Sequence, residues 1–407
     1  MQKLVLGTDP LSLHFLECTK LVLPNLTMVI WAPRYAVTGT NRISFSSLRT
    51  LFTPKLDTLE FLLNDVTDPT FPSLLGALTF LCPNLKSINF DLRGQPPLGT
   101  TEALAQLICS NADWNSVALS QHTDNVTLRS LGLSSTLKAV SLIFDPETIQ
   151  PDFEHTGTPF RNVTRLTLFL RNRLDVAMHL LRPRDQAFRA FKVSLERTRV
   201  TSTDLFALLL AIVSPPRIHS LQSLIVLHYC PSSYTIDDDS VPAHEIRGFP
   251  YEAFRPIASL VYLHELVVNL DYPIIIDDDE FAHLVCNWPY LEVLCLSGGC
   301  KTFTNAMGLK GLLSLLGSCP RLREIKLSLD VRQVPSDAGV HRPLVTHLTF
   351  VDSPILDPIL VEAFLFRHLP RVRFVEPCFT IWTSVSEQYL ESWKLVNSYM
   401  CNRSQGE

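Results

Sequence analysis

The side chains best placed to do chemistry in this 407-residue chain are two runs of aspartate. "SYTIDDDS" (233–240) carries Asp237, Asp238 and Asp239, and "IIIDDDE" (274–280) carries Asp277, Asp278 and Asp279 beside Glu280. Three adjacent carboxylates offer hard oxygen ligands to a divalent cation, or a negative patch to a basic partner. The second run also reads as a helix start, since Asp277 and Glu280 have capping-box spacing and carboxylates favour the positive end of a helix dipole. His264-Glu265 is half of a zinc-protease signature, but Val268 stands where the second histidine is needed. A nucleophile elbow, a phosphate loop and a dinucleotide-binding fingerprint are all missing from the sequence. The expectation is a non-enzymatic chain with no catalytic residue, cofactor or metal; a metal-dependent hydrolase using the aspartate loops is the alternative from another class.

The elements that would position such residues follow from composition and periodicity. The chain is 46% hydrophobic and 18% charged, so it has ample apolar surface to bury. A net charge of −5 supplies no general basic field, so nucleic acid and anionic membrane are not expected partners. The apolar run "LFALLLAIV" (205–213) is too short for a membrane span, which takes about twenty residues, and reads as a buried helix. Ten cysteines without a dense pairing pattern, behind an N-terminus that lacks an export signal, predict reduced thiols in the cytosol or nucleus.

The phrase "CPNLKSINF" (82–90) recurs as "CPRLREIKL" (319–327). Apolar triplets with this spacing lead from Met1, Leu26, Leu56, Leu85, Trp114, Leu137, Val163, Phe188, Leu221, Leu263, Leu291, Leu322, Val345 and Leu369. Most steps between them are 23 to 33 residues, with one of 42, near the roughly 20–29 of a leucine-rich repeat. Between triplets, segments such as 101–111, 204–213, 279–287, 309–319 and 359–368 carry helical apolar spacing. Cys82 and Cys319 would close a helix, the proline would stop it, and the next leucine would begin a strand.

The predicted fold is therefore α/β, an irregular leucine-rich-repeat solenoid of about thirteen or fourteen repeats. It is expected as a horseshoe with a parallel sheet on the concave face and helices on the convex face, spanning 1–382. The amphipathic segment "SVSEQYLESWKLVNSYM" (384–400) predicts a capping helix within 383–407. Asparagine or cysteine is mostly missing eight positions after each leading residue, where Arg93, Gly299 and Asp330 stand, so no regular asparagine ladder is expected.

Strand alternation then names the concave-face residues two, four and six positions after each leading residue. These include Arg165, Thr167 and Phe169; Lys192 and Ser194; Glu265, Val267 and Asn269; Glu324 and Lys326; Arg371 and Arg373. Their mixture of charge and apolar surface suits a protein or peptide ligand better than a phosphate backbone. The acidic runs 237–239 and 277–279 would lie on the rim, the first inside the longest interval, where an insertion maps to a functional loop.

These lines resemble the irregular repeats of F-box proteins, above all the large fungal group rich in proline. The resemblance covers the repeat region and implies substrate capture for a cullin-type ubiquitin ligase. An F-box itself is not present, since the first triplet starts at Met1, so an F-box adaptor is implied only if a further N-terminal segment exists. A first repeat without a cap predicts either a truncated gene model or an N-terminus packed on a partner. A free-standing scaffold or regulator is the alternative within the same class.

Overall fold

The apolar triplets found in the sequence are strands, and their order in space is their order in the chain. The structure, a computed structural model, describes residues 2–6, 25–32, 48–63, 68–92, 97–144, 160–171, 174–181, 187–196, 200–213, 217–229, 248–299, 307–336, 344–379 and 384–404. Asp237, Asp238 and Asp239 lie outside the described residues, as does Met1. Two compact units are present, Met1–Phe188 and Arg189–Glu407.

In the N-terminal unit, β1 (Gln2–Leu6), β2 (Leu26–Trp31), β3 (Thr58–Leu63), β4 (Ser87–Leu92), β5 (Ser116–His122), β6 (Ala139–Phe144) and β7 (Arg165–Arg171) pair in that order, all parallel. The register follows the repeat: Leu59 faces Ile88, Ile88 faces Val117, Val117 faces Val140 and Val140 faces Leu166. Helices α1 (Phe71–Leu81), α2 (Thr100–Ser110), α3 (Asn125–Leu133) and α4 (Leu174–Leu181) lie in crossovers, α1 packing on α2 and α2 on α3. Because each crossover adds a strand on the same side and such connections are right-handed, all of them lie on one face of the sheet.

The C-terminal unit repeats this plan. Its strands β8 (Ala190–Glu196), β9 (Ser223–Tyr229), β10 (Glu265–Leu270), β11 (Val293–Gly298), β12 (Glu324–Leu327), β13 (His347–Val351) and β14 (Val375–Cys378) also pair in parallel, in sequence order. Phe191, Leu224, Leu266, Leu294, Ile325, Leu348 and Val375 form one cross-strand row. Its helices of eight or more residues are α5 (Ser202–Ile212), α6 (Asp278–Val285), α7 (Leu309–Ser318), α8 (Pro358–His368) and α9 (Ser384–Ser404).

Burial alternates along β3, β4, β6, β7 and β8, with every second residue buried and its neighbours half-buried or exposed. A parallel sheet covered on both faces would bury both sets. One face therefore holds the core against the helices and the other is open, an α/β solenoid of leucine-rich-repeat type in each unit. No helix among the described residues is long and apolar enough to cross a membrane.

A backbone device holds successive repeats in step. One carbonyl just before each strand accepts two amides of the next repeat: Asp57 O from Lys86 N and Ser87 N at 2.8 and 2.9 Å, Lys86 O from Asn115 N and Ser116 N at 2.7 and 3.2 Å. Gln222, His264, Glu292 and Arg323 repeat the pattern in the C-terminal unit. The expected asparagine ladder position is not needed for this stitching, because main-chain groups perform it whatever side chain is present.

The phrase that recurs in the sequence is a helix end fused to a β-turn. Cys82 caps α1 by donating its N–H to Leu78 O, and its own carbonyl accepts from Leu85 N at 3.1 Å. Pro83 fits the second turn position because its fixed φ suits it. Cys319 and Leu322, at 3.2 Å, and Trp288 and Leu291, also at 3.2 Å, close the same turn.

That grammar corrects the last repeat. Leu369 caps α8 and its carbonyl accepts from Val372 N at 3.0 Å, so Val372 is the leading residue and Val375 faces Leu348. Leu369, Val372 and Phe374 satisfy the apolar spacing, but Phe374 is 55% exposed. Arg371 is therefore the tip of the turn and Arg373 follows it, both before the strand begins at Val375, and not at the alternate strand positions that spacing predicts.

The buried thiols offer a chemical check. Burial pushes Cys82 and Cys319 up to about 12, whereas Cys109, Cys286 and Cys401 are exposed. Maleimide at neutral pH is expected to label the three exposed cysteines in the native chain and to reach Cys82 and Cys319 at least about a hundredfold more slowly, because only the thiolate reacts. Peptide mapping by mass spectrometry reads this directly, and equal labelling of all five would contradict the repeat core.

Candidate functional site: the turn-tip rim of the C-terminal unit

The third residue of each turn sits at its tip, just before the leading apolar residue, with its side chain outside the core. In the N-terminal unit these tips serve structure. Asn84 Nδ2 donates to Pro54 O at 2.7 Å, Asn162 Nδ2 to Ser135 O at 2.7 Å and Thr136 Oγ1 to Trp114 O at 2.8 Å, while Lys55 Nζ reaches Asn25 Oδ1 at 2.8 Å. Each of these four side chains thus binds the preceding repeat at or beside its turn.

In the C-terminal unit the tips change character. After Ser220, whose hydroxyl stays on Arg217 O, they are Tyr262, Tyr290, Arg321 and Arg371, large aromatic and cationic side chains, and Leu344 stands at the corresponding position before Val345. Strand spacing of about 4.8 Å sets neighbouring tips at stacking range. The rings of Tyr262 and Tyr290 lie 6.1 Å apart and 8° from parallel, and the Arg321 guanidinium carbon sits 5.0 Å above the Tyr290 ring. His219 meets Tyr262 edge-on at 6.5 Å, and His264 stacks on Tyr290 at 6.2 Å. Tyr262 remains 44% and Tyr290 37% exposed.

Glu292 lies beside this row and balances part of its charge. One carboxylate oxygen is 3.3 Å from His264 Nδ1 and the other 4.0 Å from Arg323 Nε. These contacts are solvated, so they orient side chains more than they stabilise the fold. Beneath the row, Trp288 is fully buried and donates its indole N–H to Ile257 O at 3.2 Å, fixing the turn that carries Tyr290.

A groove of about 420 Å³ opens further along the same rim, between β13 and β14. His347, Thr349, Arg371, Arg373, Phe374 and Glu376 line it. Thr349 Oγ1 donates to Glu376 Oε2 at 3.3 Å, and Thr346 Oγ1 lies 2.9 Å from His347 Nδ1.

Other residues selected from the sequence are distributed as follows. Arg165, Thr167 and Phe169 stand on the open face of β7 in the N-terminal unit, Arg165 exposed and the other two half-buried. Lys192 and Ser194 occupy half-buried open-face positions of β8. Glu265 accepts from Ser223 Oγ at 2.6 Å and Asn269 Oδ1 from Ser297 Oγ at 3.0 Å, so both are tied to neighbouring strands. Val267 lies half-buried between them, while Glu324 and Lys326 occupy the open face of β12. His264 and Glu265 do not converge: the first belongs to the rim stack, the second to the sheet face.

The described aspartate run is a staple between two helices. Asp277 closes a capping box with Glu280 on α6. Asp278 Oδ1 accepts from Gly308 N and Gly311 N at the start of α7, both at 2.8 Å, and Asp279 Oδ1 pairs with Lys310 Nζ at 2.9 Å. The hydrogen bond and charge of Lys310 hold Asp279 below the ordinary carboxylate range, and Asp279 in turn holds Lys310 above the ordinary amine range. Among the described residues, no group of three His, Cys, Asp or Glu side chains is arranged to hold a metal ion.

The tip residues Tyr262, Tyr290 and Arg321 escaped the sequence reading because it considered only alternating strand positions. The signal for Tyr290 and Arg321 was present in "WPYL" and "CPRL", where the residue between proline and the leading apolar position is the turn tip; Tyr262, in "LVYL", has no proline before it.

No family model and no curated protein matches the chain. Among solved structures, the crystal structure of the yeast Rad7 and Elc1 complex is similar over 80% of this chain and 77% of that chain, with 14% identity and a TM-score of 0.40.

Proposed function

We propose that the chain is a non-enzymatic protein-recognition module whose binding surface is the turn-tip rim of the C-terminal unit with the adjoining open sheet face. The observation that supports this reading is the stacked and exposed row Tyr262, Tyr290 and Arg321. Tyrosine and arginine are enriched in interface hot spots, tyrosine because it buries large area at low conformational cost and arginine because its planar fork offers several donors and stacks on rings. A row pre-stacked in the free chain loses little further entropy on binding.

The context follows from the sequence resemblance: substrate capture for a cullin-type ubiquitin ligase, with adaptor contact supplied by an F-box segment. A free-standing scaffold is the reading that remains without one. Reduced thiols suit the cytosol or nucleus. Recovery of an F-box adaptor and a cullin with a chain extended upstream of Met1 supports the ligase context, and their absence removes it.

The rim itself is tested by substitution. Proteins captured by tagged wild-type chain are quantified against Tyr290→Ala/Arg321→Ala and against Glu102→Gln, a surface control in the N-terminal unit. The rim variant is expected to weaken its specific partners at least about thirtyfold, the loss typical of a hot-spot truncation, and the control to leave them unchanged. Unchanged capture by the rim variant contradicts the proposal.

A further inference from the structure

Resting on that reading, we infer that the groove between β13 and β14 takes an acidic peptide segment of the partner, with adjacent carboxylates on Arg371 and Arg373 and an apolar side chain on Phe374. Charge complementarity carries the assignment. Arg371 and Arg373 are both exposed, and neither meets a carboxylate among the described residues, although acidic residues outnumber basic ones in the whole chain, 40 against 35.

Two guanidiniums, one at the turn tip and one just after the turn, offer planar, charge-assisted donors matched to carboxylates. Phe374 follows them in the chain, lines the same groove and is more than half exposed, just before the strand begins at Val375. The groove volume of about 420 Å³ admits a few side chains of an extended peptide and falls in the range of ligand sites.

Glu376 gives the site polarity. It lines the groove from the strand β14, held by Thr349 of β13, and would repel a carboxylate placed beside it. The acidic residues therefore lie toward the turn tip and the apolar residue toward the sheet. Two repeats before Arg371, with Leu344 between, Arg321 carries positive charge onto the aromatic row, so a partner engaging Tyr290 meets the groove along the same edge.

The probe is a fluorescein-labelled ten-residue peptide with the core Glu-Glu-Ser-Leu in a Gly/Ser background, titrated by anisotropy against the full chain. Its counterpart carries Gln-Gln-Ser-Leu. The acidic probe is expected to bind at least about tenfold tighter than the neutral one, with the preference shrinking at high salt. Arg371→Gln/Arg373→Gln is expected to erase the preference, and Arg371→Lys/Arg373→Lys to retain part of it; both sites are exposed, so circular dichroism should stay unchanged.

Equal affinity for the two probes, no binding of either, or an unchanged preference in the Gln variant overturns the inference. Binding only of a phosphoserine version overturns it in favour of a phosphate ligand. If the probe fails while Tyr290→Ala/Arg321→Ala still loses its partners, the groove assignment falls and the rim reading stands.

Discussion

Trp393→Ala is expected to lower the stability of the C-terminal unit by about 3–5 kcal/mol, the range for truncating a buried tryptophan. Trp393 is fully buried on α9, packs against Phe350 with ring centroids 5.0 Å apart, and donates its indole N–H to Ser353 O at 3.0 Å. One turn further, the Asn397 amide accepts from Val375 N at 2.8 Å and donates to Val375 O at 2.9 Å. The helix thus supplies β14 with the hydrogen bonds another strand would have made, and covers an edge that would otherwise template pairing with other chains.

Removing the tryptophan leaves a cavity under α9, an unpaired carbonyl at Ser353 and a loosened asparagine clamp. Hydrogen exchange should therefore quicken first in 347–351 and 375–378, while β3 to β6 keep wild-type protection, because repeats couple mainly to their neighbours. Unaltered exchange at β14 would show that α9 does not hold the edge.

Trp288→Ala is expected to cost about as much, again about 3–5 kcal/mol, and to damage the rim as well. Trp288 occupies the first position of the turn that presents Tyr290, and its indole bridges to Ile257 O of the preceding repeat. Alanine keeps the turn's backbone bond but empties the space that fixes its height. Trp288→Phe restores most of the volume without the N–H, so it should recover more than half of the loss. Chemical denaturation gives the sizes; if alanine and phenylalanine behave alike, packing is not what Trp288 contributes.

Most of the fold was legible because the repeat imposes the same geometry many times. Leu56, Leu85, Leu137 and Leu263 each lead a strand whose third and fifth following residues are buried, and helices fall between them as the apolar spacing predicts. The slip at Leu369 shows the limit of spacing alone. A helix-capping leucine and a strand-leading leucine look identical as apolar letters, and only the proline phrase, with its turn hydrogen bond, separates them.

The candidate site was less legible, for a physical reason. Tyr290 and Arg321 lie outside the strands, so the alternation that sorts core from open face says nothing about them. Asp277 was readable as a cap because its partners are local, within three residues. Asp278 was not, because its partners Gly308 and Gly311 belong to the next repeat and are brought to it only by stacking. Asn84 and Asn162 likewise act on carbonyls a full repeat earlier, which no local pattern reveals.

The most direct test of the rim as a recognition surface is a hydrogen-exchange footprint of the full chain with and without a purified partner that the Tyr290→Ala/Arg321→Ala variant fails to capture. The account predicts new protection in peptides covering 260–264, 288–292 and 319–323, with the helix face of the same unit unchanged. Protection confined to the helices, with those turns as open as in the free chain, would contradict it.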